Sequence, residues 1–279
     1  MSQSRRDLRT KYTTKRAKDR RRIKRGIYLL PSIFTSLSLF CGFYSVTASF
    51  NEKFIYASWA IILAAVFDAM DGRIDRLTHS VSEFGEQYDS LADMISFGIA
   101  PGILMYTWAL QPFGRWGWLA AFLYVICVAL RLARFNLKTS SIENRYFQGL
   151  PSPASAAMVA TTVIIFYSLG IAEMKNVTIP LLTCMLALLM VSTLKYHTFK
   201  EFDFRRRMPF NVLVACIFLL IIFLGKPKVL LFTGAVLYTL SGPVGFLFGM
   251  RSKKHNSEAA DEASEYTKGS PAGDSHGKA

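Results

Sequence analysis

Apolar runs separated by short polar stretches fill the chain from about residue 27 to residue 250. A helix needs about 20 apolar residues to cross a bilayer. Eight runs approach or exceed that length: 27–50, 54–76, 83–109, 116–137, 154–173, 177–195, 209–225 and 228–249. The pattern therefore predicts an all-α, polytopic helix bundle of about eight spans. The 209–225 run is near the lower limit, so a six-span core with two interfacial segments is the second solution. Connections after the first, third, fifth and seventh runs are short, and those after the second, fourth and sixth are longer. One of the longer ones holds Lys195, Lys200, Arg205, Arg206 and Arg207. Excess Lys and Arg mark cytoplasmic loops, which puts that side and both termini in the cytoplasm. Pro101 falls inside the third run and predicts a kink there.

Composition sharpens this picture. Of 279 residues, 52% are apolar and 19% charged, against about 25% charged in an ordinary soluble domain. A disordered chain, a disulfide scaffold and a soluble enzyme are all excluded. Cys41, Cys127, Cys184 and Cys216 lie singly in apolar runs, and His79, His197, His255 and His276 are scattered, so no zinc site is expected. The net charge is +14, and residues 1–26 carry twelve Lys or Arg and two Asp. Such a block suits nucleic acid, an organellar presequence or a topogenic anchor near anionic headgroups. Because it runs straight into the first apolar segment, the anchor reading is preferred and no nucleic-acid partner is expected. Three parts follow: a basic cytoplasmic arm at 1–26, a membrane domain at 27–250, and a disordered cytoplasmic tail at 251–279.

The chemistry concentrates between Phe67 and Pro101. Asp68 and Asp71 are three apart near the end of the second run, and Asp89 and Asp93 are four apart at the start of the third. Both spacings put a pair on one helix face. Ser80 and Glu83 have the spacing of a capping box that starts the third helix. Four like charges cannot converge without compensation, and a divalent cation with oxygen ligands, Mg²⁺ or Mn²⁺, supplies it. Gly72 and Gly85 are costly inside helices, which suggests close approach of a ligand. Arg73 and Arg76 suit phosphate oxygens. A solvated acidic–basic loop and a cation or proton transporter are the competing readings. Clustering at one helix junction, rather than along a midplane path, weighs against the transporter.

Asp68-x-x-Asp71-Gly72-x-x-x-Arg76, eight residues, then Gly85-x-x-x-Asp89-x-x-x-Asp93 resembles the signature of the CDP-alcohol phosphatidyltransferases. It departs at one defined position, where Asp75 stands for the usual Ala. Asp75 is either a fifth acidic group near the metals or a partner for an Arg such as Arg76. Within the family, the membrane-spanning class of phosphatidylserine synthases is most similar. The similarity extends through Gly26–Pro31, Phe34-Thr35, Phe40–Tyr44, Tyr88–Asp93, Phe97–Pro101, Arg131–Asn136, Tyr146–Ala154 and Tyr196 with Phe199-Lys200. Ser32 and Ser38 replace an expected Asn.

The resemblance implies attack of the L-serine hydroxyl on the β-phosphate of CDP-diacylglycerol, with CMP leaving. Glycerol 3-phosphate and inositol are the alternative acceptors. It implies Asp68, Asp71, Asp89 and Asp93 as ligands of two Mg²⁺ or Mn²⁺ ions, with Asp93 also the general base. Gly72, Gly85 and Arg76 would meet the nucleotide. Serine carries a carboxylate, so Arg131, Arg134 and Lys200 are candidate cations, helped by Asn136 and Ser152. The likeness further implies a homodimer among membrane lipids, in the inner membrane of a bacterium, with its site on the cytoplasmic side.

Overall fold

In the computed structural model the residues described are 33–78, 83–138, 147–171, 177–196 and 225–245. The basic arm, the C-terminal tail, the 209–225 run, Ser32, Ser80 and Lys200 lie outside them. The remaining seven runs are all helical. The first is α1, Ile33–Phe50, and a three-residue turn leads into α2, Phe54–Thr78. Next come α3, Glu83–Asp93; α4, Ala100–Met105; and α5, Arg115–Lys138. After these stand α6, Ser152–Ser168; α7, Thr178–Val191; and α8, Pro227–Gly245.

Among the described residues, five helical stretches are long and apolar enough to cross a membrane: 33–50, 54–74, 84–113, 115–136 and 227–245. The fifth and sixth runs fall short, because α6 has 17 residues and α7 has 14. Their apolar composition continues, but the backbone turns. Gly170 takes a positive φ of 70°, and Ile171 N–H reaches back to Phe166 O at 3.1 Å, the Schellman ending of α6. Ser192 is extended, with ψ 158°, and stops α7. The described residues are otherwise all-helical apart from one antiparallel pair, β1 (Phe147–Gln148) with β2 (Lys195–Tyr196).

Packing follows from buried stripes. On α2 the stripe is Ala57, Ile61 and Ala64, all fully buried. It faces Ala156, Val159, Ala160 and Val163 of α6, also buried. Small residues let membrane helices approach closely. The α5 stripe, Ala121, Tyr124 and Val128, packs against α7 with Leu186, Ala187 and Met190. Continued by one or two turns at the same helical spacing, the α2 stripe reaches Asp68 and Asp71, and the α5 stripe reaches Arg131. The functional end of the bundle is thus the polar continuation of its core.

The expected break at Pro101 takes an unexpected form. Between α3 and α4 the chain winds as a π-helix, Met94–Ile99, and a second π segment, Tyr106–Leu110, precedes a 3₁₀ turn at Gln111–Phe113. Pro101 is buried at the first turn of α4, where its missing N–H is tolerated. The carbonyl of Phe97, four residues earlier, accepts from the Tyr124 hydroxyl at 3.2 Å.

Candidate active site

Helices α2 and α3 bring three of the four motif carboxylates together. Oxygens of Asp68, Asp89 and Asp93 all lie within 4.8 Å of one another, in half-buried positions. Asp68 and Asp93 are close enough to interact directly. The charge of Asp89 also bears on Asp93. Oxygens bound to a common Mg²⁺ at about 2.0–2.1 Å sit roughly 3–4 Å apart, so this all-oxygen group fits one divalent cation with small side-chain rotations. Asp71 is not in the group of three. It is 3% exposed and accepts a hydrogen bond from Thr35 Oγ1 of α1.

Hydroxyls and one amide hold α3 in place. Tyr88, beside Asp89, hydrogen-bonds Ser36 of α1 at 2.9 Å. Asn136 of α5 meets Ser90 through both amide atoms, at 3.3 and 3.2 Å. Asn136 is therefore engaged with the acid-bearing helix. Ser38, at one of the positions where Asn was expected, is buried and donates to Ala64 O at 3.2 Å. Its own carbonyl accepts from Ser96 at 2.9 Å.

A second corner forms around Arg131. Its Nη1 donates to Ser152 Oγ at 2.8 Å, and its charge interacts with Asp93, Tyr238 and Tyr124. Ser152, fully buried, is delivered by a clamped segment. Gly149 N–H bonds Leu194 O at 2.8 Å and Leu150 N–H bonds Leu189 O at 3.1 Å. Gly149 needs φ 85°, and a Cβ there would stand 2.3 Å from Met190 O; only glycine fits. Pro151 precedes α6 and Pro153 occupies its first turn, so Ser152 is fixed between a buried Leu150 and a rigid helix start. Arg134 is partly exposed one turn along the same face of α5.

Gly72 faces open space, since a Cβ there would find nothing within 4 Å. Gly85 lies one turn before Asp89 on α3. Arg76 and Asp75 are on α2, but their side chains lie outside what the structure describes. Residues that sequence reasoning did not assign to the site are Thr35, Ser36, Tyr88, Ser90, Tyr124 and Tyr238. Thr35 and Tyr88 fall inside segments already noted for their similarity. Tyr124 and Tyr238 are lone aromatics in apolar runs and carry no local signal.

Comparison with known proteins completes the description. Residues 28–191 match the family described as CDP-alcohol phosphatidyltransferase. A CDP-diacylglycerol--serine O-phosphatidyltransferase of Helicobacter pylori is 36% identical over 226 residues, covering 80% of this chain and 93% of the relative. An archaetidylserine synthase of Methanothermobacter thermautotrophicus is 34% identical over 169 residues, 60% of this chain and 69% of its own. A Bacillus subtilis protein, also named CDP-diacylglycerol--serine O-phosphatidyltransferase, is 31% identical over 172 residues, 62% and 92% respectively.

Proposed function

The chain belongs to the CDP-alcohol phosphatidyltransferase family, and we propose that it transfers the phosphatidyl group of CDP-diacylglycerol to the hydroxyl of L-serine. The serine oxygen forms a bond to the β-phosphorus, the bond from that phosphorus to the bridging oxygen breaks, and CMP leaves. The observation that carries this reading is the convergence of Asp68, Asp89 and Asp93 beside a half-buried Arg131.

Asp68, Asp71, Asp89 and Asp93 would hold two Mg²⁺ or Mn²⁺ ions, which neutralise the diphosphate and stabilise the departing phosphate. Asp93 feels the charges of Asp68, Asp89 and Arg131. It takes the proton of the attacking hydroxyl, provided the alcohol is held within hydrogen-bond reach. Arg131 supplies the cation for the serine carboxylate, since its planar fork suits bidentate pairing. Ser152 acts on the acceptor through Arg131, whose guanidinium it fixes. Gly72 leaves room for the nucleotide, with Gly85 and Arg76 on the helices that flank it.

Serine is favoured over glycerol 3-phosphate and inositol by the names of the similar proteins and by this carboxylate-binding corner. The protein is an integral membrane enzyme. We place its site at the cytoplasmic face of a bacterial inner membrane, with both termini on that side. The headgroup then meets the acids while the acyl chains stay in lipid. The N-terminal arm lies against anionic headgroups, and the functional unit is a homodimer.

The test is CMP release from CDP-diacylglycerol by purified protein in detergent, with serine, glycerol 3-phosphate or inositol, and with Mn²⁺, Mg²⁺ or chelator. Serine-dependent, metal-dependent release is expected. Release with another alcohol alone would replace the acceptor, and release that survives chelation would overturn the metal assignment.

A further inference from the structure

Asp93 is the last residue of α3. Its own backbone is helical, with φ −59° and ψ −42°, so the chain passes without a break into the π segment Met94–Ile99. There Ala100 N–H reaches back five residues to Ile95 O. An α-helix turns about 100° per residue. One extra residue in a turn therefore rotates the acid-bearing face of α3 by about that angle relative to α4. Where Asp93 points depends on this turn staying wide. Such π turns are short and rare, and they recur at functional sites.

The turn is held from two sides. Ser96 donates to Ser38 O of α1 at 2.9 Å, and a Cβ on Gly42 would stand 2.6 Å from Ser96 Oγ. From the side of α5, the Tyr124 hydroxyl donates to Phe97 O at 3.2 Å, and a Cβ on Gly98 would stand 3.2 Å from Val128 Cγ1. Tyr124 and Phe97 are 1% and 0% exposed, which shields their bond from water. Tyr124 also lies about two turns before Arg131 on the same helix. One element thus carries the acceptor cation and, through Phe97, grips the turn that follows Asp93.

We propose that Tyr124 is a positioning residue: by holding Phe97 O it fixes the π turn, and with it the placement of Asp93 relative to Arg131. The inference rests on the reading of Asp93 as the general base.

The experiment is CMP release by the purified full-length protein, with serine and CDP-diacylglycerol each varied. Tyr124→Phe keeps the ring and removes only the hydroxyl. It should lower kcat about 10–100-fold, since a misplacement of about 1 Å can cost that much, and leave both KM values within about twofold of wild type. In an Asp93→Asn background the same substitution should cost less than about twofold more, because residues that act as a unit are not additive. Thr183→Val removes a buried hydroxyl that bonds Ile179 O within α7, and should leave kcat unchanged. If Tyr124→Phe does not fold, Ser96→Ala loosens the same turn from α1 and takes its place in both comparisons. Wild-type kcat in Tyr124→Phe would overturn the inference, as would an equal fall in Thr183→Val or the full loss repeated in the Asp93→Asn background. A raised serine KM at unchanged kcat would also overturn it, and would mean that Tyr124 acts on Arg131. Asp93→Asn with wild-type kcat would instead overturn the base assignment beneath it.

Discussion

The two corners of the site are built in opposite ways. The carboxylate corner comes from one continuous stretch, Asp68 to Asp93, folded as two helix ends around a short connection. The arginine corner draws on Tyr124, Arg131, Ser152 and Tyr238, spread over more than a hundred residues on three helices. In the first, helical spacing alone brings the groups to one face. In the second, nothing local relates the partners, and only packing of α5 on α7 and the clamp at Gly149 brings Ser152 to Arg131. Under the proposed function, metal chemistry would be carried by a compact motif, whereas acceptor recognition would depend on the whole bundle.

This contrast can be broken by substitutions at each corner. The largest effect is expected for Asp93→Asn, which should lower CMP release about 10²–10⁴-fold at saturating serine, measured in the detergent assay. Next comes Arg131→Ala. Removing one partner of a buried charge costs about 2–5 kcal/mol, and the loss should fall on the KM for serine rather than for CDP-diacylglycerol. Arg131→Lys should recover only part of it, because an ammonium lacks the bidentate fork. The sign of a second readout matters here. The Arg131 charge opposes that of Asp93, so its removal should leave Mn²⁺ affinity equal or stronger. Weaker Mn²⁺ binding in Arg131→Ala would show that the corners are one unit.

Smaller effects sharpen the distinction. Ser152→Ala removes one hydrogen bond from the guanidinium, worth about 1.5–3 kcal/mol when the donor is charged, and should raise the serine KM with little change in kcat. Gly149→Ala should act on stability and not on chemistry. It forces a side chain into φ 85° and against Met190 O, a strain of about 1–3 kcal/mol, read as a lower unfolding midpoint in detergent. Folded Gly149→Ala protein with normal stability would mean that the clamp is not needed to present Ser152.

The same contrast explains what the sequence disclosed. Helices lie along the seven described apolar runs, and three of the four motif acids meet, with Asp71 outside the group. The ends of α6 and α7 were hidden, since Gly170 and Ser192 stop helices inside stretches that remain apolar. The π segments flanking α4 were hidden too, because Pro101 signals a break without specifying how the carbonyl it leaves behind is satisfied. At the site, Arg131 and Ser152 were both legible as polar residues near the chemistry, but their contact with each other was not. Asn136 was read as an acceptor contact, and its hydrogen bonds to Ser90 carried no signal in the sequence. Thr35 and Asp71 stand 36 positions apart, and no periodicity relates residues on different helices.

The pairing of β1 with β2 has a use beyond the site it braces. Phe147 lies opposite Tyr196, and Gln148 opposite Lys195, so the two ends of the α6–α7 segment meet at a hydrogen-bonded base. Closing a loop early lowers the entropy still to be lost when its contents dock. Residues 147–196 are thereby delimited as a segment closed at its base. A graft cut at these strands would carry Ser152 and its Gly149 support together, and would leave every motif acid in the recipient chain.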